Sequence, residues 1–600
     1  MAGRQKDMTV PNLTKNARRV LEARYLIRDA ERRIVETPEE LFERVARAIA
    51  HAELLLGNAR QRAYWEEQFY RVLASLDFLP NSPTLMNAGT PLGQLSACFV
   101  LPVEDTMEGI FEALKQMALV QRTGGGTGFA FSRLRPRGDV VASTGGEASG
   151  PLSFMKIFDA ATEHIKQGGK RRGANMGVLR VDHPDIMEFI QAKLDGQTLR
   201  NFNLSVGVTD AFMGAVRRGR HYDLIHPGTG RPVGQLRAKD VFDAVVKAAW
   251  QTGDPGLLFL DTVNRTNPVP HLGLIEATNP CGEIPLLPYE SCNLGSINLA
   301  HVVMMRDGHA VIDWERLRAT VRVAVRFLDD VIEVNRYLIP EIERMTRGTN
   351  KIGLGVMGFA EMLIRLGVSY DSADAVRLAE HVMRVVADEA LATSQVLAEE
   401  RGVFPCWKGG AHEAQGVRVR HATRTAIAPT GTLSLIAGTS ASIEPLFALA
   451  YRRTHILEGQ VLYEVAPLLC EYLDRHGADA KRLTDQVMEK GRLSDIQDMP
   501  EEVKRLFVTA LEIPPEQHLQ VQAAFQRHVD NAVSKTINLP HDARPEDVHQ
   551  AYWQAWELGL KGITVYRYGS KSTQVLELGV HEEAHYYDHA SPCDPEECKV

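Results

Sequence analysis

The residues best suited to chemistry lie in Thr278-Asn279-Pro280-Cys281-Gly282-Glu283-Ile284-Pro285-Leu286, which sets an amide, a thiol and a carboxylate on alternate positions. In an extended loop, side chains two apart face the same way. Asn279, Cys281 and Glu283 could then converge on one small substrate. A second thiol, Cys292, follows eleven residues after Cys281, in Ser291-Cys292-Asn293-Leu294-Gly295-Ser296-Ile297-Asn298-Leu299. A thiol, a base and another thiol this close together suggest redox chemistry at carbon rather than hydrolysis.

Positioning such groups takes a scaffold, and the chain's patterning outlines one. Residues from about Leu13 to Phe78 carry apolar positions at three- and four-residue spacing, which predicts an N-terminal helical region over 1–78. From residue 79 to about 570, short apolar runs (Gly177–Val181, Leu204–Val208, Thr425–Ala428) alternate with helical stretches (Leu152–Lys166, Trp314–Val334, Ala373–Glu400). That alternation predicts an α/β domain with parallel strands. Arg453 to Glu516 reads as a more helical insertion. Residues 571–600 read as a flexible acidic tail.

The totals bound the class. The 600 residues exceed one ordinary core, and 44% hydrophobic with 24% charged residues is globular composition. A net charge of −8 argues against a nucleic-acid polymer as partner but leaves room for a local phosphate site. Seven cysteines (Cys98, Cys281, Cys292, Cys406, Cys470, Cys593, Cys598) are too few for a disulfide scaffold. No signal peptide or membrane span is visible. The expectation is a cytoplasmic protein with reduced thiols, some of them functional.

Other candidates each have a plain reading beside the functional one. Cys98, in Leu95-Ser96-Ala97-Cys98-Phe99-Val100-Leu101, reads alone as a buried strand cysteine, since free Cys packs like a small hydrophobe. It joins Cys281 and Cys292 only if the fold brings all three together. Ala428-Pro429-Thr430-Gly431-Thr432-Leu433-Ser434 lies between a strand-like run and a possible helix. Its hydroxyls and backbone N–H groups suit an anion, and equally an ordinary N-cap. It lacks the Lys of a P-loop. The basic, glycine-rich Lys166–Asn175 suits phosphate or simply solvent. Two formal motifs are rejected. Gly353-Leu354-Gly355-Val356-Met357-Gly358 has Arg347–Lys351 where a dinucleotide fold needs its leading strand. His581-Glu582-Glu583-Ala584-His585 lies in the tail, with little chain left to build a protease cleft.

Taken together, the motifs resemble the catalytic chain of ribonucleotide reductase, most of all its adenosylcobalamin-dependent class. The matches run in order: Leu79-Pro80-Asn81-Ser82-Pro83-Thr84-Leu85, Ala97-Cys98, Gly124–Gly128, Gly169–Ala174, Asn279–Glu283, Cys292-Asn293-Leu294 and Pro429–Ser434. The resemblance implies a ten-stranded α/β barrel whose central finger loop carries a radical cysteine, matched by Cys281. The cofactor's 5′-deoxyadenosyl radical would generate a thiyl there that takes the ribose 3′-hydrogen. Glu283 would act as general base, Cys98 would protonate the departing 2′-hydroxyl, Cys98 and Cys292 would supply two electrons, and Asn279 would orient the substrate. Pro429, Thr430, Gly431, Thr432 and Leu433 match the substrate-phosphate loop. Ser82, Ala97, Gly126, Pro280 and Gly282 match further substrate contacts. Asp105, Lys166, Gln167, Arg171 and Ala174 match positions that bind or relay an allosteric effector.

The resemblance also discriminates class. The oxygen-dependent class passes its radical through two adjacent tyrosines, whereas Thr564-Val565-Tyr566-Arg567-Tyr568 has Arg567 in place of the second. That speaks against the alternative of a large subunit served by a separate radical-generating subunit. The C-terminal glycyl-radical segment and an ATP-cone pattern are both absent from the sequence. No Asp-x-His-x-x-Gly segment is present either, which implies cobalamin bound without a protein histidine replacing its lower base. Cys593 and Cys598 resemble a C-terminal redox shuttle, with metal binding alongside His581, His585 and His589 as the other reading. The implied partners are a ribonucleotide, a deoxynucleoside triphosphate or ATP effector, a thioredoxin- or glutaredoxin-type reductant, and a second copy in a homodimer. No membrane is implied.

Overall fold

The computed structural model describes residues 10–141, 145–165, 173–453, 462–475, 480–490 and 493–570. The expected sites Lys166, Gln167, Arg171, Cys593 and Cys598 lie outside the described residues, as does the whole of 571–600.

Helices Lys15–Arg24, Pro38–Ile49, Ala52–Leu55 and Arg62–Ala74 precede the first long-range strand. The second begins with a capping box, in which Thr37 accepts from the Glu40 N–H and the Glu40 carboxylate accepts from the Thr37 N–H. Its apolar residues Leu41, Phe42, Val45 and Ile49 recur at helical spacing and share a core with Leu317, Val321 and Phe327 of helix Trp314–Val334. A buried ionic network ties the same parts together. Fully buried Glu53 takes Arg326 at 2.8 Å and Arg401 at 2.7 Å. Arg401 also holds Asp330 at 2.7 Å, and Arg420 bridges Asp329 at 3.0 Å and Glu333 at 2.7 Å. Removing one member would leave uncompensated buried charge.

The main sheet has ten strands. They are β1 (Phe78–Pro80), β2 (Cys98–Val100), β3 (Gly126–Ala130), β4 (Asn175–Arg180), β5 (Phe202–Val208), β6 (Gly256–Phe259), β7 (Ser291–Asn298), β8 (Ile352–Met357), β9 (Thr536–Leu539) and β10 (Gly562–Arg567). Strands β2 to β6 run parallel in chain order. β7 pairs parallel with β8, and β9 with β10. The two parallel groups meet antiparallel at both seams, β6 with β10 and β7 with β2. Between β8 and β9 the chain at Thr425–Ile427 supplies the missing rung, bridging Leu354 on one side and Val533 on the other. The sheet therefore closes on itself as an α/β barrel with a finger loop inside, as expected.

The short apolar runs and the long helices fall close to where the pattern places them, for instance helix Trp314–Val334 and helix Ala373–Arg401. The Gly353–Gly358 run is barrel strand β8 instead of a phosphate-binding turn. Its glycines serve packing: a Cβ on Gly355 would stand 2.2 Å from the Ala426 carbonyl oxygen. No helix among the described residues is long and apolar enough to cross a membrane.

Candidate active site

A two-stranded ribbon, Ala277–Thr278 against Pro285–Leu286, carries the finger into the barrel. Strand β3 lets it approach. A Cβ on Gly128 would lie 1.8 Å from the Thr278 carbonyl oxygen, and one on Gly126 would lie 2.9 Å from the Pro280 ring. From β5, the Asn203 amide donates to the Pro280 carbonyl at 2.8 Å. From the chain entering β9, the Ala532 N–H donates to the Glu283 carbonyl at 2.9 Å. Gly128→Ala is expected to push the finger off β3, destabilise the protein by roughly 1–3 kcal/mol and remove turnover. Thermal unfolding together with a product assay checks this.

The tip of the finger is a turn, which corrects the extended loop expected from the alternating pattern. The Gly282 N–H donates to the Asn279 carbonyl at 3.1 Å and the Ile284 N–H to Asn279 Oδ1 at 3.0 Å. Gly282 adopts φ +85°, a region open chiefly to glycine. The turn puts Cys281 outward at the apex while Asn279 and Glu283, each 2% exposed, fold beneath it.

Two further thiols stand against this turn. Cys98 on β2 and Cys292 on β7 are direct cross-strand partners, and both are buried. The Asn279 side chain donates to Cys98 Sγ at 3.2 Å. Burial, with the nearby Glu283, Cys292 and Cys281, pushes the Cys98 thiol well above its ordinary range. Burial also raises Cys292, against the opposing pull of Lys351. Both are therefore neutral thiols that hold a proton at physiological pH. Glu283 is likewise shifted upward by burial, to about 7, although a hydrogen bond from Asn279 favours its charged form. Its Oε2 has no hydrogen-bond partner among the described residues. A buried carboxylate oxygen without a donor, beneath an exposed thiol, is suited to receive a proton from a bound molecule.

Cys281 and Gly282 open onto a cavity of about 740 Å³ whose wall also includes Pro280, Pro429 and Gly431. Thr430 precedes helix Gly431–Ala437 in left-handed conformation (φ +52°), and its hydroxyl accepts from the Ser442 N–H at 2.7 Å. Thr432 and Leu433 occupy the first turn of that helix, where N–H groups lack intrahelical partners. Ala97 accepts from the Gly126 N–H at 2.8 Å, beside the Pro280 ring. Ser82 is not part of the cavity wall; its hydroxyl pairs with Tyr25 at 2.7 Å. Asp105 accepts from the Arg135 backbone and guanidinium at 3.1 and 2.8 Å and is not part of the cavity wall. The Ala174 carbonyl accepts from the Thr127 N–H at 3.2 Å, which ties the start of β4 to the strand carrying Gly126 and Gly128.

Several groups at the site carry little or no signal in the sequence. Asn203, which clamps Pro280, had no signal. Lys535 and Glu444 form a 2.6 Å pair on the cavity wall. Lys535 is the lone charge in Asn531-Ala532-Val533-Ser534-Lys535-Thr536-Ile537-Asn538-Leu539, and a cation inside a strand-like run was the available signal. Tyr566 also lines the cavity, whereas Arg567 turns outward, stacks 4.3 Å over Trp250 and donates to its carbonyl.

Comparison with known proteins agrees with this architecture. The ribonucleotide reductase all-alpha domain matches residues 11–93, and the ribonucleotide reductase barrel domain matches residues 96–418 and 411–566. A vitamin B12-dependent ribonucleoside-diphosphate reductase of Thermoplasma acidophilum is 52% identical, across 95% of this chain and 81% of that one. One of Mycobacterium tuberculosis is 53% identical, across 93% and 80%. The class Id ribonucleotide reductase alpha subunit of Actinobacillus ureae superposes with a TM-score of 0.76 at 24% identity, across 95% of this chain and 99% of that one. Between the closed barrel with its thiol-bearing finger and these matches, the chain belongs to the ribonucleotide reductase family.

Proposed function

We propose that this protein reduces ribonucleotides, at the diphosphate level named for its relatives, to 2′-deoxyribonucleotides with adenosylcobalamin as radical source. The observation that carries the reading is the stacking of an outward Cys281 over a buried Glu283 and the cross-strand pair Cys98 and Cys292.

The cavity has the size of a nucleotide site, and a cofactor as large as adenosylcobalamin would have to reach Cys281 from the cavity mouth. The cavity reaches about 740 Å³, its wall runs from Cys281 past Pro429 and Gly431 to Ser205, Gly256 and Tyr566, and it mixes polar and apolar groups. Ser440 on that wall has a buried hydroxyl without a hydrogen-bond partner among the described residues. Bound adenosylcobalamin would supply the one-electron chemistry that makes the Cys281 thiyl radical. Everything else falls to the chain. The Cys281 sulfur takes the 3′-hydrogen and later returns it. Glu283 accepts the 3′-hydroxyl proton. Cys98 protonates the 2′-hydroxyl, which leaves as water. Cys98 and Cys292 give up two electrons and close a disulfide, and their cross-strand pairing suits that step. Asn279 braces both Cys98 and the turn. The barrel keeps the radical away from water. Arg567, turned onto Trp250, supports the cobalamin reading over a radical delivered by another subunit.

The phosphates lie on Pro429–Leu433. A deoxynucleoside triphosphate effector binds near Asp105, and Lys166–Ala174 relays its identity through Ala174 and Thr127 to the finger. Two neighbouring helices, Met107–Gln121 and Pro151–His164, expose Met107, Phe111 and Ile157, an apolar face that supports a homodimer. The reading places the protein in the cytoplasm, where a thioredoxin-type reductant reopens the disulfide through Cys593 and Cys598. Cys593→Ser is expected to slow turnover with thioredoxin and spare it with a small dithiol; equal loss with both reductants rules out the shuttle.

The direct test is anaerobic incubation of the purified chain with adenosylcobalamin, dithiol, an effector and each ribonucleotide in turn. Cobalamin-dependent deoxynucleotide is the expected product, and its absence with every substrate refutes the reading.

A further inference from the structure

A second cleft, of about 410 Å³, lies between the N-terminal helices and the barrel, remote from the finger in its lining. Arg44, Arg47, His51, Arg62 and Arg336 line it, and no lining residue carries a carboxylate. Arg44 is committed to structure: it pairs with Glu36 at 2.6 Å and donates to the Ala88 and Leu85 carbonyls. Arg336 likewise donates to the Pro91 carbonyl at 2.8 Å, whereas Arg47 and Arg62 are not saturated. Arg47 approaches Glu43 and Glu66 only at 3.8 and 3.6 Å, and Arg62 approaches Glu66 at 4.0 Å, all longer than hydrogen bonds. Arg62 Nε is buried with no hydrogen-bond partner among the described residues. That N–H is available to donate to an anion held in the cleft. The floor is apolar, made by Ala48, Leu95 and Val334.

We propose that this cleft binds a nucleoside phosphate, with the guanidinium groups on its phosphates and the apolar floor under its base or sugar. Its volume falls in the range of small-molecule sites, ~300–1,000 Å³. The inference is independent of the active-site reading, since it uses none of the same residues. The floor connects to the catalytic strand. Leu95 donates from its N–H to Asn335 Oδ1 at 2.7 Å and accepts on its carbonyl from Asn81 at 2.8 Å and Thr84 at 3.0 Å. Two residues on, the Ala97 N–H donates to the Cys292 carbonyl at 3.1 Å. Filling the cleft therefore stiffens the backbone that leads into Cys98.

The test is hydrogen–deuterium exchange on the full chain, read at residues 88–97, with ATP, tripolyphosphate and adenosine as separate probes. ATP is expected to protect this segment. Arg62→Ala, and separately Arg47→Ala, should weaken that protection by roughly tenfold or more in ATP concentration, with thermal unfolding unchanged and ATP-dependent protection elsewhere retained. Tripolyphosphate should need about tenfold more ligand than ATP, in keeping with an apolar floor that contributes to binding, and adenosine should give none. No protection by ATP, or full protection in both variants, overturns the site. Equal potency of tripolyphosphate and ATP overturns the nucleoside and leaves an adventitious polyanion contact.

Discussion

Cys281→Ser is expected to fold like the wild type and to form no deoxynucleotide. The finger turn is held by its neighbours, through the Asn279, Gly282 and Ile284 backbone bonds and the Asn203 clamp on Pro280. An outward side chain at the apex contributes little to stability, so the variant should lie within about 0.5 kcal/mol of wild type. A hydroxyl hydrogen is held far more tightly than a thiol hydrogen, so serine cannot stand in for the radical carrier. Turnover and the electron paramagnetic resonance signal of a thiyl should vanish together. Appreciable product from this variant would sink the assignment of Cys281.

Glu283→Gln should abolish turnover while making the protein more stable at neutral and alkaline pH. Burial lifts the folded-state pKa of Glu283 to about 7, against roughly 4.3 in an unfolded chain. Between those values the folded protein holds a proton that the unfolded chain has released, so stability falls as pH rises through the window. Above pH 7 the ionised carboxylate costs on the order of 4 kcal/mol. Glutamine removes that cost without removing bulk. The difference between the two proteins should be near zero at pH 4, grow across the window and level off above it. Wild-type turnover should rise through the same pH range, since the base must be ionised to accept the proton. A variant that keeps turnover, or a stability difference that does not change with pH, would show that Glu283 is not the buried base.

How far the sequence could lead depended on the range of the interactions involved. Helix Trp314–Val334 was legible because its apolar spacing is local. The barrel's closing rung at Thr425–Ile427 was legible as an apolar run but not as a strand joining Leu354 to Val533, because that pairing spans distant parts of the chain. In the candidate site, Asn279, Cys281 and Glu283 stood out by residue type. Their geometry is not in the pattern: alternation predicts an extended loop, but Gly282 allows a turn that sends Cys281 out and Glu283 in. The pairing of Cys98 with Cys292 is a register fact that no spacing encodes. Asn203 acts through a backbone carbonyl on another element, and so left no local trace.

The seam between β6 and β10 sets an order on biosynthesis. Leu257 pairs with Ile563, so this contact waits for roughly three hundred further residues to be translated. Cys98, Cys281 and Cys292 all leave the ribosome before β9 and β10 exist to wall them in. A translation product that passes Cys292 but stops short of Gly562 carries all three thiols yet has no closed chamber around them. Such a fragment has no chamber in which a radical could be kept from water, so closure of this last seam is a precondition of activity.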